Sequence, residues 1–194
     1  MRRSLSFTAL AVAVLVLPAC GPNPSSMPNT GTTNASTPNT TKPTEDMQKY
    51  PPCHPGCFPA GTLVATPSGL REIQTIRKGE QVTLVTAEGT TTTGSVEDVF
   101  TTPNRLIEVR TDAGTVTTTE TQPLCRATGG FALVSELKPG DSIWRWENGE
   151  RKAVTVKEVS SPVREADVFN LVVGKDKVFI AGGFLARGKP PVTQ

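Results

Sequence analysis

Short runs of β-branched and apolar residues, separated by turn-forming residues, recur along the chain after about residue 57. Seven of these runs have the length and composition of strands, namely residues 62–66, 81–85, 106–111, 115–119, 153–159, 168–173 and 178–181. Turns are predicted at residues 67–69, 112–114 and 148–149, which combine glycine with proline, serine, aspartate or asparagine. No window of helical length has apolar residues at a 3.6-residue period, so the pattern predicts an all-β domain.

Two segments of this pattern resemble each other. LREIQTIRKGEQV, residues 70–82, and FALVSELKPGDSI, residues 131–143, have apolar residues at their first, fourth, seventh and last positions. In both, a basic residue, a glycine and an acidic residue follow in the same arrangement before the last strand begins. Duplication of one supersecondary unit predicts pseudo-two-fold symmetry. Coincidence between two amphipathic turns that each lead into a strand is the alternative.

The first twenty residues have the features of an export signal. Two arginines precede an apolar run over residues 9–17, which is too short to span a bilayer and has the length of a signal-peptide core. The run ends in LPAC, residues 17–20, which resembles the bacterial lipobox. Residues 1–20 are therefore predicted to be a lipoprotein signal peptide, with Cys20 lipidated and the protein anchored in the bacterial cell envelope. An ordinary secretory signal cut near Ala19 is the alternative, and it also leads to export.

Residues 21–56 are predicted to form a disordered tether. This segment is rich in Pro, Thr, Asn, Ser and Gly and shows no apolar periodicity. It cannot bury enough apolar surface to offset the entropy lost on ordering. A flexible chain of this length spans about 30 Å root-mean-square, so the tether would hold a folded domain away from the membrane.

Charge and aromatic content argue against nucleic acid as a partner. The 194 residues include 20 Lys and Arg against 18 Asp and Glu, a net charge of +2, with only 5% aromatic residues. Nucleic-acid binding is not expected, because it requires a cationic surface or a series of aromatic stacking platforms. The membrane, reached through lipidated Cys20, is thus the one partner that the sequence predicts. No cofactor or metal is expected, and the sequence identifies no external nucleophile or protein partner.

Three sequence blocks resemble those of Hint domains, the module of Hedgehog autoprocessing domains, inteins and bacterial intein-like proteins. GCFPAGTLVATPSGLREIQTIRKGEQV, residues 56–82, resembles the opening block. VTTTETQPL, from Val116, followed by FALVSELKPGD, resembles the second block, and VFNLVVGKDKVFIAGGFLARGK, residues 168–189, resembles the closing blocks. The resemblance covers residues 57–189, leaving residues 190–194 as a tail. It implies a flattened β horseshoe with internal pseudo-two-fold symmetry, but a shared fold does not establish activity.

The resemblance also implies a chemistry for Cys57. In the family, the first residue attacks the preceding carbonyl, here that of Gly56, and converts the amide into a thioester. A Thr-x-x-His motif assists, with the threonine orienting the amide and the histidine protonating the departing nitrogen. Here Thr119 is present, but Gln122 occupies the position of the histidine. An amide can donate a hydrogen bond to polarise the scissile group, yet it cannot deliver a proton. Cleavage at Gly56-Cys57 is therefore expected to be slow.

Departures at the C-terminal end exclude splicing. Lys177 stands where a second family histidine often lies, and Arg187-Gly188 replaces the His-Asn pair whose asparagine cyclises. The chain's single histidine, His54, precedes the proposed cleavage site. The short stretch between Ile143 and the closing blocks also leaves no room for a homing endonuclease.

The cysteines allow structural roles as well. Apart from Cys20, an exported chain would have Cys53, Cys57 and Cys125 available for disulfides. Pairing of Cys57 with either of the others would occupy the predicted nucleophile. A zinc site including His54 is disfavoured, because these residues lack the paired close spacings of zinc fingers.

Two functions follow from these alternatives. The first is autoprocessing by an N-to-S acyl shift, with cleavage or acyl transfer at Gly56-Cys57. The second is a non-catalytic Hint fold, displayed at the surface as a binding or structural module.

Overall fold

The computed structural model describes residues 56–160 and 164–190. This part of the chain forms fourteen β-strands and two three-residue 3₁₀ helices. The strands are β1 (Phe58–Pro59), β2 (Leu63–Thr66), β3 (Gly69–Glu72), β4 (Gln81–Val85), β5 (Thr91–Ser95), β6 (Asp98–Thr111), β7 (Gly114–Thr118), β8 (Pro123–Cys125), β9 (Phe131–Leu133), β10 (Ser142–Glu147), β11 (Glu150–Val159), β12 (Arg164–Val172), β13 (Val178–Ala181) and β14 (Phe184–Arg187). The 3₁₀ helices are Ile73–Thr75 and Val134–Glu136. The predicted signal peptide and nearly all of the predicted tether lie outside the described residues.

The described strands form one antiparallel sheet. Its main path runs β1-β12-β6-β11-β10-β14-β13-β2-β3. Further strands attach beside this path: β4 pairs with β13 and β5, β8 pairs with β14 and β9, and β7 pairs with β6. The longest ladder joins β6 to β12, from Leu106 opposite Arg164 to Asp98 opposite Val172. Because β12 also pairs with β1, it connects the start of the domain to the middle of the chain.

The all-β prediction is confirmed, but only seven of the fourteen described strands were predicted, and β1, β3, β5, β8, β9, β10 and β14 were missed. The predicted strands differ from the observed ones mainly at their ends. Strands β4 and β13 have the predicted bounds, whereas β6 begins at Asp98, eight residues before the predicted start. Strand β12 likewise begins at Arg164, earlier than predicted. The additional residues of each strand pair with the other strand, so the extension arises from long-range pairing rather than local sequence preference.

The predicted repeat is a structural duplication. In each copy a strand leads into a 3₁₀ helix, a turn and another strand. Val96 N–H donates to the Glu80 carbonyl at 2.8 Å, and Val156 N–H donates to the Asp141 carbonyl at the same distance. The carboxylates of Glu80 and Asp141 also each accept the backbone N–H three residues earlier. Matching contacts at matching positions confirm the internal pseudo-two-fold symmetry.

The core is built from the buried apolar positions of both repeats. Ile73, Val82, Val134 and Ile143 are all fully buried within the main hydrophobic cluster. A second, smaller cluster contains Cys57, Leu106 and Val168. The start of the domain is therefore anchored among β6 and β12.

The described residues include no helix that is long and apolar enough to cross a bilayer. All of the described residues belong to one compact unit.

Candidate functional site

The Gly56-Cys57 peptide lies at the buried start of the domain. Cys57 is fully buried, and it packs with Leu106 and Val168. Directly after it, Phe58 and Pro59 form β1 and pair with Phe169 and Val168 of β12. This pairing fixes the chain immediately after the peptide.

The end of β7 binds Cys57 from one side. Cys57 N–H donates to Thr119 Oγ1 at 2.9 Å. The Cys57 carbonyl accepts two hydrogen bonds, from Thr119 N–H at 3.0 Å and from Thr118 Oγ1 at 2.6 Å. Both threonines are fully buried. Thr119 therefore contacts the amide nitrogen of the Gly56-Cys57 peptide.

Asn170 of β12 binds the same peptide from its carbonyl side. Its Nδ2 donates to the Gly56 carbonyl oxygen, and the same nitrogen lies 3.4 Å from Gln122 Oε1. Its Oδ1 accepts the N–H of Leu171 at 2.7 Å, which fixes the orientation of the amide. Sequence reasoning did not single out Asn170. The sequence feature that could have identified Asn170 is its position as a polar residue within the apolar run VFNLVV. In the structure this position is fully buried.

Gln122 lies in the site but does not polarise the Cys57 nitrogen. Its Nε2 donates to the carbonyls of Pro123 and Arg187, both at 3.1 Å. Since a primary amide has two N–H donors, these contacts use both of them. Gln122 therefore has no N–H left to donate to the scissile peptide. Gln122 instead accepts from Asn170 and connects it to the end of β14.

Gly56 approaches the backbone of Gln122 too closely for a side chain. A Cβ added at Gly56 would lie 1.9 Å from Gln122 Cα and 2.2 Å from its nitrogen. Only glycine is compatible with this approach. The residue before Cys57 is thus constrained by packing as well as by hydrogen bonding.

Together these contacts polarise the peptide at both ends. The carbonyl oxygen receives an N–H donor, which stabilises negative charge if the carbonyl carbon is attacked. The amide N–H is fixed by the threonine oxygen, which restricts the peptide plane. The described residues contain no imidazole, because the chain's single histidine is His54.

The residues at the C-terminal end take no part in polarising the peptide. Lys177 contributes its carbonyl, which accepts Gly188 N–H at 2.9 Å. The Arg187 guanidinium lies 3.6 Å from Asp176 and stacks over Phe131. Arg187 reaches the site through its backbone carbonyl, which accepts the bond from Gln122.

Cys125 belongs to a different cluster, with Val85, Ile180 and Leu185. No disulfide joins it to Cys57. Burial raises the pKa of the Cys125 thiol to about 12, so it remains protonated and unreactive at neutral pH. Cys20, Cys53 and His54 lie outside the described residues. Within residues 56–160 and 164–190, no group of three or more His, Cys, Asp or Glu is placed to bind a metal.

Comparison with solved structures identifies the fold. The DnaB intein from Synechocystis sp. PCC 6803 superposes with a TM-score of 0.63 at 16% identity, covering 69% of this chain and 99% of the intein. A bacterial intein-like domain from Clostridium thermocellum gives 0.58 at 20% identity, covering 69% and 98%. The gp41-1 intein gives 0.57 at 20% identity, with the same coverage.

No protein-family model and no curated protein matches the sequence. The fold assignment therefore depends on the structural comparison. The structures that it finds are inteins and intein-like domains, which are members of the family that the three sequence blocks resemble. The described part of the chain has the Hint fold of inteins and intein-like domains.

Proposed function

We propose that the chain is an autoprocessing Hint protein in which Cys57 attacks the Gly56 carbonyl. One observation carries this proposal: the buried Gly56-Cys57 peptide has a hydrogen-bond donor on its carbonyl and an acceptor on its N–H. A buried peptide with a purely structural role would also have its polar groups hydrogen-bonded. This peptide differs in that Cys57 directly follows the hydrogen-bonded carbonyl, and that carbonyl belongs to a glycine packed against Gln122.

The reaction is an isomerisation followed by acyl transfer. The Cys57 thiol loses its proton, and the sulfur forms a bond to the Gly56 carbonyl carbon. Negative charge then develops on the carbonyl oxygen, where Asn170 Nδ2 donates. When the carbon–nitrogen bond breaks, the Cys57 nitrogen takes up a proton, leaving a thioester and an amine. An external thiol or water then cleaves the thioester and releases the segment that ends at Gly56.

Protonation of the departing nitrogen is the slow step in this proposal. Thr119 accepts the nitrogen's hydrogen bond, and Gln122 directs both of its donors to backbone carbonyls. General acid catalysis contributes about 10²- to 10⁴-fold where it operates. The unmodified site therefore supports a slow acyl shift without splicing.

The acyl shift is tested with the reduced chain from Gly21 onward, incubated for several days with a millimolar small thiol. Intact-mass analysis should detect a trace product that ends in a Gly56 thioester. Cys57→Ala should give none, because the product requires the sulfur. If both chains yield the same trace, or neither yields any, the acyl-shift proposal is rejected. The non-catalytic module would then be the better description.

Cys20 is proposed to anchor the protein, with residues 21–56 as the tether. A chain expressed in a bacterium with its leader should fractionate with membranes. Cys20→Ala should become soluble or remain unprocessed, because the acyl chains supply about 0.8 kcal/mol of membrane affinity per buried CH₂. Western blotting of membrane and soluble fractions measures the difference. Equal partitioning of the two chains would contradict the lipoprotein assignment.

A further inference from the structure

A cavity of about 700 Å³ lies beside the free edge of β7, and its lining does not include Gly56, Cys57 or Asn170. Thr115, Val116 and Thr117 of β7 form one wall, and Leu63 of β2 and Leu70 of β3 contribute apolar surface. Leu63 is 43% exposed and Leu70 is 64% exposed, which is unusual for large apolar residues in this domain. The volume is within the range of ligand-binding sites.

The β7 wall presents unpaired backbone groups to this cavity. Strand β7 pairs with β6 alone, and Thr111 pairs with Gly114 across a two-residue turn. In such an antiparallel hairpin, the residues of alternate pairs direct their N–H and C=O groups towards the partner strand. Gly114, Val116 and Thr118 therefore bond to β6, whereas Thr115 and Thr117 direct theirs outward. Among the described residues, no backbone bond to either outward N–H is found.

A positively charged side chain lies at one end of this edge. The Arg145 guanidinium stacks on Phe184, with Cζ 5.2 Å from the ring centre. It also approaches the first residue of β7, because a Cβ added to Gly114 would lie 2.8 Å from Arg145 Nη1. Arg145 Nε is buried without a hydrogen-bond partner. Within the described residues, Arg145 has no carboxylate partner at ion-pair distance.

The rest of the cavity also favours a negatively charged ligand. Arg164 is a second cation in its lining, and the lining contains no Asp or Glu. A partly desolvated guanidinium without a counter-charge is costly, and a bound carboxylate offsets that cost with charge-assisted hydrogen bonds.

We propose that this cavity binds the extended C-terminal segment of a partner protein, which adds to β7 as an antiparallel strand. Strand β7 runs from Gly114 to Thr118, so an antiparallel neighbour has its carboxyl end beside Gly114. That position is next to Arg145, where a terminal carboxylate meets the guanidinium. Apolar side chains of the peptide cover Leu63 and Leu70. Recognition by strand addition combines such backbone bonds with side-chain pockets.

Other occupants of the cavity fit the charges less well. The chain's own residues 21–55 contain two lysines and two carboxylates, so they offer no net negative charge. A second copy joined antiparallel through β7 would place its Thr118 end beside Arg145, and that end supplies no carboxylate. The proposal is independent of the acyl shift, because it uses neither Cys57 nor Asn170.

The test uses the ¹⁵N-labelled chain from Gly21 to Gln194. The probe is a pool of random pentapeptides with acetylated amino ends and free carboxyl ends. The same pool with carboxamide ends is the matched probe. Binding of the free-carboxyl pool should slow hydrogen exchange at the N–H groups of Thr115 and Thr117. Val116 N–H should change little, because it already bonds to β6. The carboxamide pool should bind about 10- to 100-fold more weakly, as expected for loss of a charge-assisted hydrogen bond.

Two variants separate the guanidinium's role from a general loss of charge. Arg145→Gln should weaken binding of the free-carboxyl pool by about 10- to 100-fold and remove its preference over the carboxamide pool. Arg151→Gln is the matched control, since Arg151 also stacks on an aromatic ring, that of Trp144, but does not line this cavity. It should bind as the parent does.

Three results would overturn the proposal. The first is equal binding of the two pools, or no binding at millimolar concentration. The second is binding that leaves the Thr115 and Thr117 amides unprotected. The third is protection of both amides in the chain without added peptide. If this protection is lost on replacing Glu45 and Asp46, the occupant is the chain's own tether. If it is lost on dilution, the occupant is a second copy.

Discussion

Replacing Gln122 by histidine should raise the rate of thiol-dependent cleavage at Gly56-Cys57 by at least about 10²-fold. An imidazolium at this position supplies the proton that the departing Cys57 nitrogen requires, which an amide cannot. A 10²-fold increase corresponds to about 2.7 kcal/mol of barrier. Intact-mass analysis of the reduced chain should then show, within a day, a fragment that ends at Gly56.

Two further variants control for the loss of the glutamine's own contacts. Gln122→Ala also removes the hydrogen bonds to the Pro123 and Arg187 carbonyls but adds no proton donor. It should lower the free energy of unfolding by about 1–3 kcal/mol without increasing cleavage. Adding Cys57→Ala to the histidine variant should abolish the fragment. Rapid cleavage of the parent would show that the histidine is dispensable, whereas an inactive histidine variant would indicate that other parts of the site are defective.

Asn170→Ala, introduced into the Gln122→His chain, should reduce cleavage by about 10²- to 10³-fold. Asn170 is the side chain that donates to the Gly56 carbonyl, and removing one such donor has an effect of this size in other acyl-transfer sites. The substitution also leaves Leu171 N–H without its acceptor. The free energy of unfolding should therefore fall by about 1–3 kcal/mol as well. Single-turnover cleavage rates and urea unfolding measure the two effects separately.

Asn104 offers a matched control for this prediction. Its Oδ1 accepts the N–H of Arg105 at 2.7 Å, the same local bond that Asn170 makes with Leu171. Asn104 makes no contact with the Gly56 carbonyl among the described residues. Asn104→Ala should therefore leave the cleavage rate within about two-fold of the histidine variant. A similar loss at both positions would show that Asn170 acts through stability alone.

The all-β class and seven of the fourteen described strands were predictable, because those strands are locally distinctive. β-Branched runs such as Gln81–Val85 and Val178–Ala181 favour extended backbone and have clear turn residues beside them. The first part of β6 contains Pro103 and Asn104, which disfavour a strand by local preference. Its pairing with β12 overrides that preference, and such a partner is not visible in a single segment.

The candidate site was only partly predictable for a related reason. Cys57, Thr119 and Gln122 could be selected because they lie within recognisable motifs, and the structure brings them together. Asn170 lies within the closing block, but the resemblance gave it no role, and its contact with Gly56 spans 114 positions in sequence. The direction of the Gln122 amide depends on a carbonyl 65 positions away. Neither partner follows from spacing along the chain.

The distance in sequence between Cys57 and its partners also determines when the peptide becomes polarised during folding. Thr119 is 62 positions downstream of Cys57, and Asn170 is 114 positions downstream of Gly56. Because synthesis proceeds from the N-terminus, Gly56-Cys57 emerges as an ordinary peptide bond and remains one until β12 has paired with β1 and β6. A chain truncated before β12, or stalled during synthesis, cannot polarise this bond. The proposed acyl chemistry at Cys57 would thereby be confined to molecules in which β12 has formed.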